Sequence, residues 1–376
     1  MKIFHLADLH LGKKVNGFSM IEEQKYILIK ILNAIDEHNP DGVVIAGDVY
    51  DKSVPSTEAV ELFNDFICRL SERNIKTFII SGNHDSAQRL AFASDLINKA
   101  GIYFSPVYDG NCRANCLKDK YGVLNIYMLP FIKPANARAV FNNAKIDSYT
   151  DAVKAAVENM QINAEERNIL VTHQFVAGAS SCDSEEISVG GSDNVAVNVF
   201  DDFDYVALGH LHSPQSVGRD VVRYSGTPLK YSFSEVNHKK SITVVDFKEK
   251  RNVKISEIPL IPKRDLKEIT GTYDELVSKK FYENLNTDDY YHITLTDEFD
   301  VYDAVDRLRC VYPNLMKLDY NNRRTNSNET VDGSKIKKSE SEYFEELYAK
   351  QNGDEMSDEQ RVFIENLIDE LKKGEV

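Results

Sequence analysis

Residues 81–85, Ser-Gly-Asn-His-Asp, bring an amide, an imidazole and a carboxylate together in one short loop. The apolar residues 77–80 before this loop predict a buried strand, and residues 88–97 after it predict a helix. In open α/β sheets, ligands bind at the carboxyl ends of strands, which is where this loop would lie. Because Gly, Asn and Asp also favour ordinary turns, the loop alone fits a turn as well as a binding site.

Two earlier strands end in similar polar clusters. The strand predicted at residues 2–7 runs into Asp8 and His10, and the strand predicted at residues 43–46 runs into Asp48. Asp8 and His10 are two residues apart, so an extended backbone would point both side chains to the same side. Three successive βα units thus each deliver polar groups at the carboxyl end of a strand. A metal site at this edge explains the repetition better than three unrelated turns do.

The second half of the chain repeats the pattern. A predicted strand at residues 168–172 ends in His173, and the apolar residues 205–208 lead to His210 and His212. The candidate ligands are two carboxylates, one amide oxygen and four imidazoles, at Asp8, His10, Asp48, Asn83, His173, His210 and His212. Other predicted elements are helices at 21–38, 55–73 and 148–162, strands at 101–104 and 122–130, and a hairpin of residues 241–247 and 253–258.

Seven ligands are too many for one ion but suit two ions if one carboxylate bridges them. Such sites hold their ions about 3.5–4 Å apart and act on phosphoryl groups. Oxygen and nitrogen ligands without thiolate suit Mn²⁺, Fe²⁺ or Zn²⁺. His84 is a spare imidazole, which we expect to stabilise the phosphorane or to protonate the leaving alkoxide. Asp85 is expected to fix the His84 tautomer, so both are candidate catalytic residues.

Composition narrows the class of protein. The chain has 376 residues and a net charge of −15, and this length predicts roughly two to three domains. A protein that binds a polyanion by bulk electrostatics would be basic, so action on phosphate esters requires local cations or a partner. The five cysteines form no CxxC pair, which argues against a zinc knuckle or a disulfide framework. With no signal-peptide pattern and no apolar run near ~18 residues, we expect a cytoplasmic protein.

The pattern changes after residue 261. Residues 263–320 predict a small α/β cap, with helices at 273–281 and 301–311 and strands at 290–295 and 316–320. The polar residues 321–338 predict a linker. Ser339 and Glu342 form a capping box for a first tail helix, and a second helix is predicted at 357–373. Residues 340–376 hold twelve acidic and four basic residues, and their apolar stripes favour docking on a partner over folding back on the body.

Together the motifs resemble the calcineurin-like metallophosphoesterase superfamily over residues 1–260. The motifs are Asp8-x-His10, Gly47-Asp48, Gly82-Asn83-His84-Asp85, His173 and Gly209-His210-x-His212. Within it the chain is most similar to the SbcD family of bacterial nuclease subunits, on residues 8–12, 47–51, 82–86, 204–212 and 224–228. One departure is Asp51, where some relatives carry a histidine.

This resemblance implies a four-layer α/β/β/α metallophosphoesterase sandwich at residues 1–260, a capping domain at 263–320, a linker at 321–338 and a partner-binding helical tail at 339–376. It implies one ion on Asp8, His10, Asp48 and His212 and a second on Asp48, Asn83, His173 and His210. Asp48 would bridge the ions, manganese is the expected metal, and His84 would be catalytic.

The resemblance also implies an activity and partners. The activity is hydrolysis of DNA, as a 3′–5′ exonuclease on double-stranded ends and an endonuclease on single strands and hairpins, in repair, recombination and replication. The implied partners are DNA, a second copy of the chain and an SbcC-type coiled-coil ATPase, in a complex of two nuclease and two ATPase chains.

Two functions other than a nuclease are compatible with the same sequence motifs. A phosphodiesterase or phosphatase acting on small phosphoesters would share the metal site, because the superfamily shares it. The cap and the tail favour the nuclease, since a small-molecule enzyme needs neither. A non-enzymatic scaffold is the second alternative, and it is disfavoured because all seven candidate ligands and His84 are present.

Overall fold

The computed structural model describes residues 1–92, 94–141, 145–182, 185, 193–322, 340–352 and 355–373. It divides into two compact units, Met1–Asp265 and Leu266–Val376. The predicted linker lies outside the described residues apart from its first two positions, and so does Ser339 of the predicted capping box. Among the described residues, none of the helices combines the length and the hydrophobicity that a membrane span requires.

The strands of the first unit are β1 (Lys2–Leu6), β2 (Lys14–Val15), β3 (Phe18–Ser19), β4 (Gly42–Ala46), β5 (Lys76–Ile80), β6 (Ile102–Phe104), β7 (Asn115–Asp119), β8 (Gly122–Leu129), β9 (Arg167–His173), β10 (Tyr205–Gly209), β11 (Gln215–Val217), β12 (Arg219–Tyr224), β13 (Ser241–Phe247) and β14 (Val253–Pro259). Its α-helices are α1 (Ile21–His38), α2 (Thr57–Glu72), α3 (Ala87–Leu90), α4 (Ser94–Ile97), α5 (Pro134–Val140) and α6 (Tyr149–Glu158), and Phe233–Glu235 is one of its 3₁₀ turns.

The first sheet has the strand order β14-β13-β1-β4-β5-β6. Its strands β1, β4, β5 and β6 pair in parallel, whereas β13 and β14 pair antiparallel at one side. Leu6 pairs with Ile45, and Ala46 pairs with Ile80, so β1, β4 and β5 end close together. The polar clusters that follow these three strands therefore meet at one edge of the sheet.

The second sheet has the order β11-β12-β10-β9-β8-β7. Its four inner strands pair in parallel, and β7 and β11 are antiparallel edge strands. Gly209 of β10 pairs with His173 of β9. Two of the chain segments that carry predicted histidine ligands thus leave this sheet side by side.

A shared apolar layer joins the two sheets. Val44 and Ala46 of the first sheet and Ile169 and Val171 of the second lie in one buried cluster. Alternate residues such as Leu170 belong to a second cluster that includes α6, because side chains alternate between the faces of a strand. On the other side, α2 packs against β5 and against α1. This four-layer α/β/β/α sandwich confirms the predicted architecture.

Several predicted elements differ in detail. The helix expected at residues 88–97 is instead the two short helices α3 and α4, with Ala93 outside the described residues. Strands β7 and β11 are not predicted by the sequence, because both are polar, half-exposed edge strands with little apolar periodicity. The differences lie at the margins of the sheets and leave the central strands as predicted.

The second unit contains a three-stranded parallel sheet of β15 (Leu266–Gly271), β16 (Tyr290–Leu295) and β17 (Leu315–Tyr320), with α7 (Tyr273–Leu276), α8 (Lys279–Tyr282) and α9 (Ala304–Arg309). The helix expected at 273–281 is two helices, because Ser278 has an extended backbone and caps α8. Strand β15 is unpredicted, since only its first residue is buried. Ile293 and Leu308 belong to the buried cluster of this unit.

Two further helices, α10 (Glu340–Asn352) and α11 (Asp358–Lys373), form the described part of the tail. The predicted cap of the second helix is confirmed, since the Gln360 amide donates to Ser357 Oγ at 3.3 Å. Gln360 Nε2 in turn donates to the Tyr348 hydroxyl at 3.1 Å, which joins the two helices. Part of each apolar stripe is exposed, with 41% of Phe344 and 65% of Phe363 accessible, whereas Tyr348, Leu367 and Ile368 are partly buried.

Candidate metal centre

The turns that follow the strands, rather than the strands themselves, aim the candidate ligands. Asp8, His10 and Asp48 adopt left-handed backbone conformations with φ of 53°, 44° and 45°. Such conformations are rare for residues with a Cβ and cost about 1–3 kcal/mol each. The Asp8 amide donates to the Gly47 carbonyl at 3.1 Å, and the His10 amide donates to the Asp48 carbonyl at 2.9 Å. The expectation that an extended backbone aligns Asp8 with His10 is therefore wrong.

The Asp48 carboxylate lies among the imidazoles. Its Oδ2 is 3.3 Å from His173 Nε2 and 3.8 Å from His10 Nε2. His84 Nε2 lies 3.9 Å from the same oxygen. The other oxygen, Oδ1, accepts a hydrogen bond from the His84 amide at 2.9 Å. One buried carboxylate thus faces ring nitrogens that come from three different loops.

The remaining predicted ligands extend this cluster. Asn83 Oδ1 lies 2.9 Å from His173 Nε2 and 3.0 Å from His210 Nδ1. His10 Nε2 lies 3.2 Å from His212 Nε2. The ring nitrogens of residues from both sheets therefore converge on one place, and the structure brings all of the predicted ligands to it.

Burial and the charges of neighbouring side chains together set the electrostatics of the cluster. Asp8 is fully buried and accepts a hydrogen bond from the His210 amide at 3.0 Å. Burial raises the pKa of Asp8 well above its usual range, lowers the pKa of His10 well below it and lowers the pKa of His210 to about 3. Although burial opposes ionisation of Asp48, the neighbouring imidazoles, His173 first, hold the pKa of Asp48 below its ordinary value.

This donor set fits divalent metal ions. Two groups of ligand atoms are close enough to hold an ion and share one carboxylate: Asp8, Asp48 and His173, and His10, Asp48 and His84. His10 Nδ1 is buried and makes no hydrogen bond to any described residue. When bound, divalent ions would polarise phosphoryl oxygens and activate water. The division of the seven ligands between two ions stays a prediction.

Two glycines of the motifs allow the loops to approach this closely. A Cβ at Gly82 would overlap Asp48 Oδ1, and a Cβ at Gly209 would overlap the Ala46 carbonyl. A side chain at Gly82 would push apart the loops after β4 and β5, and one at Gly209 would push the end of β10 away from β4 of the other sheet. These glycines therefore explain part of the spacing within the sequence motifs.

His84 and Asp85 have different surroundings from those expected. Asp85 accepts hydrogen bonds from the amides of Gly82, Val49 and Tyr50 at 3.0, 3.1 and 2.9 Å. Burial raises the pKa of Asp85 to about 6. His84 Nδ1 instead lies 3.0 Å from the backbone carbonyl oxygen of Asp51. The expected contact between Asp85 and the His84 ring is therefore wrong, because Asp85 ties its own loop to the loop after β4.

A buried carboxylate behind His212 is a functional residue that the sequence motifs miss. Glu235 is fully buried, and its Oε1 lies 3.2 Å from His212 Nδ1. Its Oε2 accepts from Lys240 Nζ at 2.5 Å, and Lys240 also donates to the His212 carbonyl at 2.8 Å. A carboxylate on the second ring nitrogen fixes the tautomer and orientation of a metal-binding histidine.

Gln24 and Tyr231 support the loop after β1 in the same way. Gln24 Nε2 donates to the His10 carbonyl at 2.7 Å and to the Tyr231 hydroxyl at 3.0 Å. The Tyr231 hydroxyl donates to the Leu9 carbonyl at 2.6 Å. Gln24 lies on the buried face of α1, where an apolar residue would be ordinary. The one sequence signal for Gln24 is that a polar residue stands at a predicted core position of the helix.

Comparisons with known proteins agree with this geometry. A family model described as calcineurin-like phosphoesterase matches residues 1–214. A model described as type 5 capsule protein repressor C-terminal domain matches residues 262–352. The chain is 35% identical over 324 residues to the SbcD subunit of the nuclease SbcCD from Staphylococcus epidermidis, and the match covers 85% of each chain.

Solved structures resemble the chain more distantly. TT1561 of Thermus thermophilus is 12% identical, with 68% of this chain and 98% of that chain covered and a TM-score of 0.39. A dimetal phosphatase from Danio rerio is 10% identical, with 69% and 99% covered and a TM-score of 0.39. On the sequence comparisons, the chain belongs to the calcineurin-like phosphoesterases and, within them, to the family of the SbcD subunit of the nuclease SbcCD.

Proposed function

We propose that this chain is the metal-dependent nuclease subunit of an SbcCD-type complex and hydrolyses DNA phosphodiesters. The observation that carries the proposal is the convergence of seven residues with oxygen and nitrogen donors at one place, Asp48 among them. The relative that shares 35% of its sequence is named as a nuclease subunit, which favours DNA over small phosphoesters as the substrate. Such an enzyme would act in the cytoplasm, on chromosomal DNA.

The proposed roles follow the predicted assignment. Asp8, His10, Asp48 and His212 would hold one ion, and Asp48, Asn83, His173 and His210 would hold the other. The donor set suits Mn²⁺, Fe²⁺ or Zn²⁺, and among these manganese is the proposed metal because the resemblance to the SbcD family implies it. Glu235 would keep His212 oriented, and Asp85 would hold the His84 loop against the loop after β4.

His84 is the proposed proton-transferring residue. Its Nδ1 faces the Asp51 carbonyl at 3.0 Å, so this nitrogen keeps its proton as a hydrogen-bond donor. The free nitrogen is then Nε2, which points to the same space as Asp48 Oδ2. The ring is 20% exposed, whereas those of His10 and His173 are buried. His84 Nε2 is therefore the nitrogen that can reach a bound phosphate or its leaving oxygen.

The first test compares substrates. We expect the chain, supplied with Mn²⁺, to cut a fluorescently labelled DNA hairpin faster than it hydrolyses an aryl phosphodiester or a phosphomonoester. Chelation should stop the cleavage and renewed Mn²⁺ should restore it, because the proposed ligands hold the ions by reversible coordination through their lone pairs. Rapid hydrolysis of the small esters with intact DNA would instead favour the small-phosphoester alternative.

We also propose that the tail docks on the coiled coil of an SbcC-type ATPase. The exposed apolar residues of α10 and α11 include Tyr343, Phe344, Leu347, Val362 and Phe363. Apolar anchors at helical spacing typically bind a groove between partner helices. The tail's acidity, together with the net charge of −15, fits a division in which the partner supplies part of the DNA-binding surface. The proposed complex has two chains of each kind, with the exposed Ile29 of α1 and Val60 of α2 on the candidate dimer surface.

Removing the tail separates this proposal from the nuclease assignment. We expect deletion of residues 339–376 to leave Mn²⁺-dependent cleavage within about twofold and to abolish association with the ATPase, since the first unit alone carries the proposed centre. Co-elution from a sizing column measures association. In the full chain, Phe344→Asp with Phe363→Asp should weaken it, and the exposed polar Gln351→Asp is the matched control. Unchanged association of the truncated chain contradicts the docking proposal.

A further inference from the structure

A third group of ligand atoms lies behind the proposed nuclease centre. The sulfur of Cys182, a ring nitrogen of His212 and a carboxylate oxygen of Glu235 lie within 4.8 Å of one another. His212 and Glu235 are buried, whereas Cys182 is partly exposed. The proposed centre contains no thiolate, so this group differs from it in chemistry as well as in position.

Cys182 is held beside His212 by one carboxylate. Glu185 accepts hydrogen bonds from the Cys182 amide at 2.5 Å and from the His212 amide at 2.6 Å. Glu185 therefore ties the backbone of Cys182 to that of His212.

The distances suit a small thiophilic ion. Zinc binds sulfur at about 2.3 Å and nitrogen or oxygen at about 2.0–2.1 Å, which places ligand atoms of a tetrahedral site roughly 3.3–3.6 Å apart. His212 Nδ1 and Glu235 Oε1 are already 3.2 Å apart. Lys240 holds the other carboxylate oxygen, so Glu235 would offer one oxygen to an ion. The sulfur of the partly exposed Cys182 lies within 4.8 Å of the ligand atoms of both residues.

We propose that Cys182, His212 and Glu235 form a second cation site that takes Zn²⁺ and thereby switches off the nuclease centre. The inhibitory half rests on the proposed function, whereas the site itself does not. His212 presents Nε2 to His10 and Nδ1 to Glu235, so the two sites share one imidazole.

Sharing one ring explains the switch. Zinc on Nδ1 displaces the proton of that nitrogen, and the neutral ring carries it on Nε2 instead. The Nε2 lone pair is then lost to the nuclease centre, where an N–H would face His10. The thiol of Cys182 releases its proton to water when the ion binds. Mn²⁺ does not compete well for this site, because thiolate ligands favour zinc over manganese.

The site is tested on the full chain with Mn²⁺ present by alkylation with iodoacetamide, measured for each cysteine by peptide mass spectrometry. We expect a single equivalent of Zn²⁺ to slow alkylation of Cys182 by about tenfold or more, the scale on which lost contacts change metal affinity. The exposed Cys68 and Cys310 serve as internal controls and should react unchanged. Equal alkylation of Cys182 with and without Zn²⁺ would overturn the proposal.

The switch is tested with Cys182→Ser. This variant should keep its Mn²⁺-dependent cleavage and need about tenfold more Zn²⁺ for half-inhibition, whereas Cys68→Ser should behave as the unaltered chain. Identical inhibition of all three would place the inhibitory zinc in the nuclease centre itself and overturn the switch. Alkylation is measured without a nuclease assay. A chain that fails to cut DNA would therefore refute the proposed function, and the alkylation result would still decide whether the zinc site exists.

Discussion

We expect His84→Ala to lower DNA cleavage by about 10²–10⁴-fold, the usual contribution of a positioned acid or base, while the bound metal stays at about two ions per chain. The structural reason is the place of the ring at the edge of the centre. His84 Nε2 lies 3.9 Å from Asp48 Oδ2, about as far as His10 Nε2 at 3.8 Å and farther than His173 Nε2 at 3.3 Å. The ring is also more exposed than either of them, as a residue that meets substrate must be.

Metal analysis and cleavage are measured on the same preparation of the variant. His38→Ala is the matched control, because His38 ends α1 and is no candidate ligand. It should leave both the metal content and the cleavage rate unchanged. Loss of one ion from His84→Ala would make His84 a ligand, an arrangement that the group His10, Asp48 and His84 allows. The proton-transfer role would then be wrong.

The sequence predicts the meeting place of the ligands because parallel strands end at one edge. Asp8, Asp48 and Asn83 follow β1, β4 and β5, which are neighbours in one sheet. His173 and His210 lie at the ends of neighbouring strands of the other sheet. The covered strands of an α/β sandwich are continuously hydrophobic. An apolar run that ends in polar residues therefore marks in the sequence where a strand ends.

The backbone conformation at the ligands could not be predicted in the same way. Asp8 and His10 adopt left-handed backbone conformations, which the hydrophobic pattern of a strand does not indicate. Backbone hydrogen bonds to the loop after β4 stabilise these conformations. The contact of Glu235 with His212 spans 23 positions and arises only when the 3₁₀ turn packs against the loop that carries His212. Sequence adjacency pairs Asp85 with His84, whereas in the folded chain Asp85 binds the Tyr50 amide, which is 35 positions away.

The second large effect is expected from Asp48→Asn. The variant should lose at least one of two ions and about 10³-fold or more of its cleavage rate, since a bound metal supplies several kcal/mol of charge stabilisation. Asparagine has nearly the same shape, so the sandwich should stay folded. It removes the negative charge that His173 and His10 surround, and its amide hydrogens would compete with an ion for their ring nitrogens.

Asp51→Asn is the matched control for Asp48→Asn, because it removes a nearby carboxylate rather than the shared ligand. Asp51 lies on the same loop, and its carboxylate pairs with Lys13 at 2.8 Å and lies 3.9 Å from His10 Nδ1, beyond hydrogen-bond distance. Its carbonyl, which the substitution preserves, contacts His84. We therefore expect Asp51→Asn to retain both ions and cleavage within about threefold, as for a partly exposed ion pair. Metal content by mass spectrometry, thermal unfolding and hairpin cleavage are compared for both variants. If Asp48→Asn binds two ions as tightly as the unaltered chain, the carboxylate is not shared between them, and the ligands must be divided between the ions without a bridge.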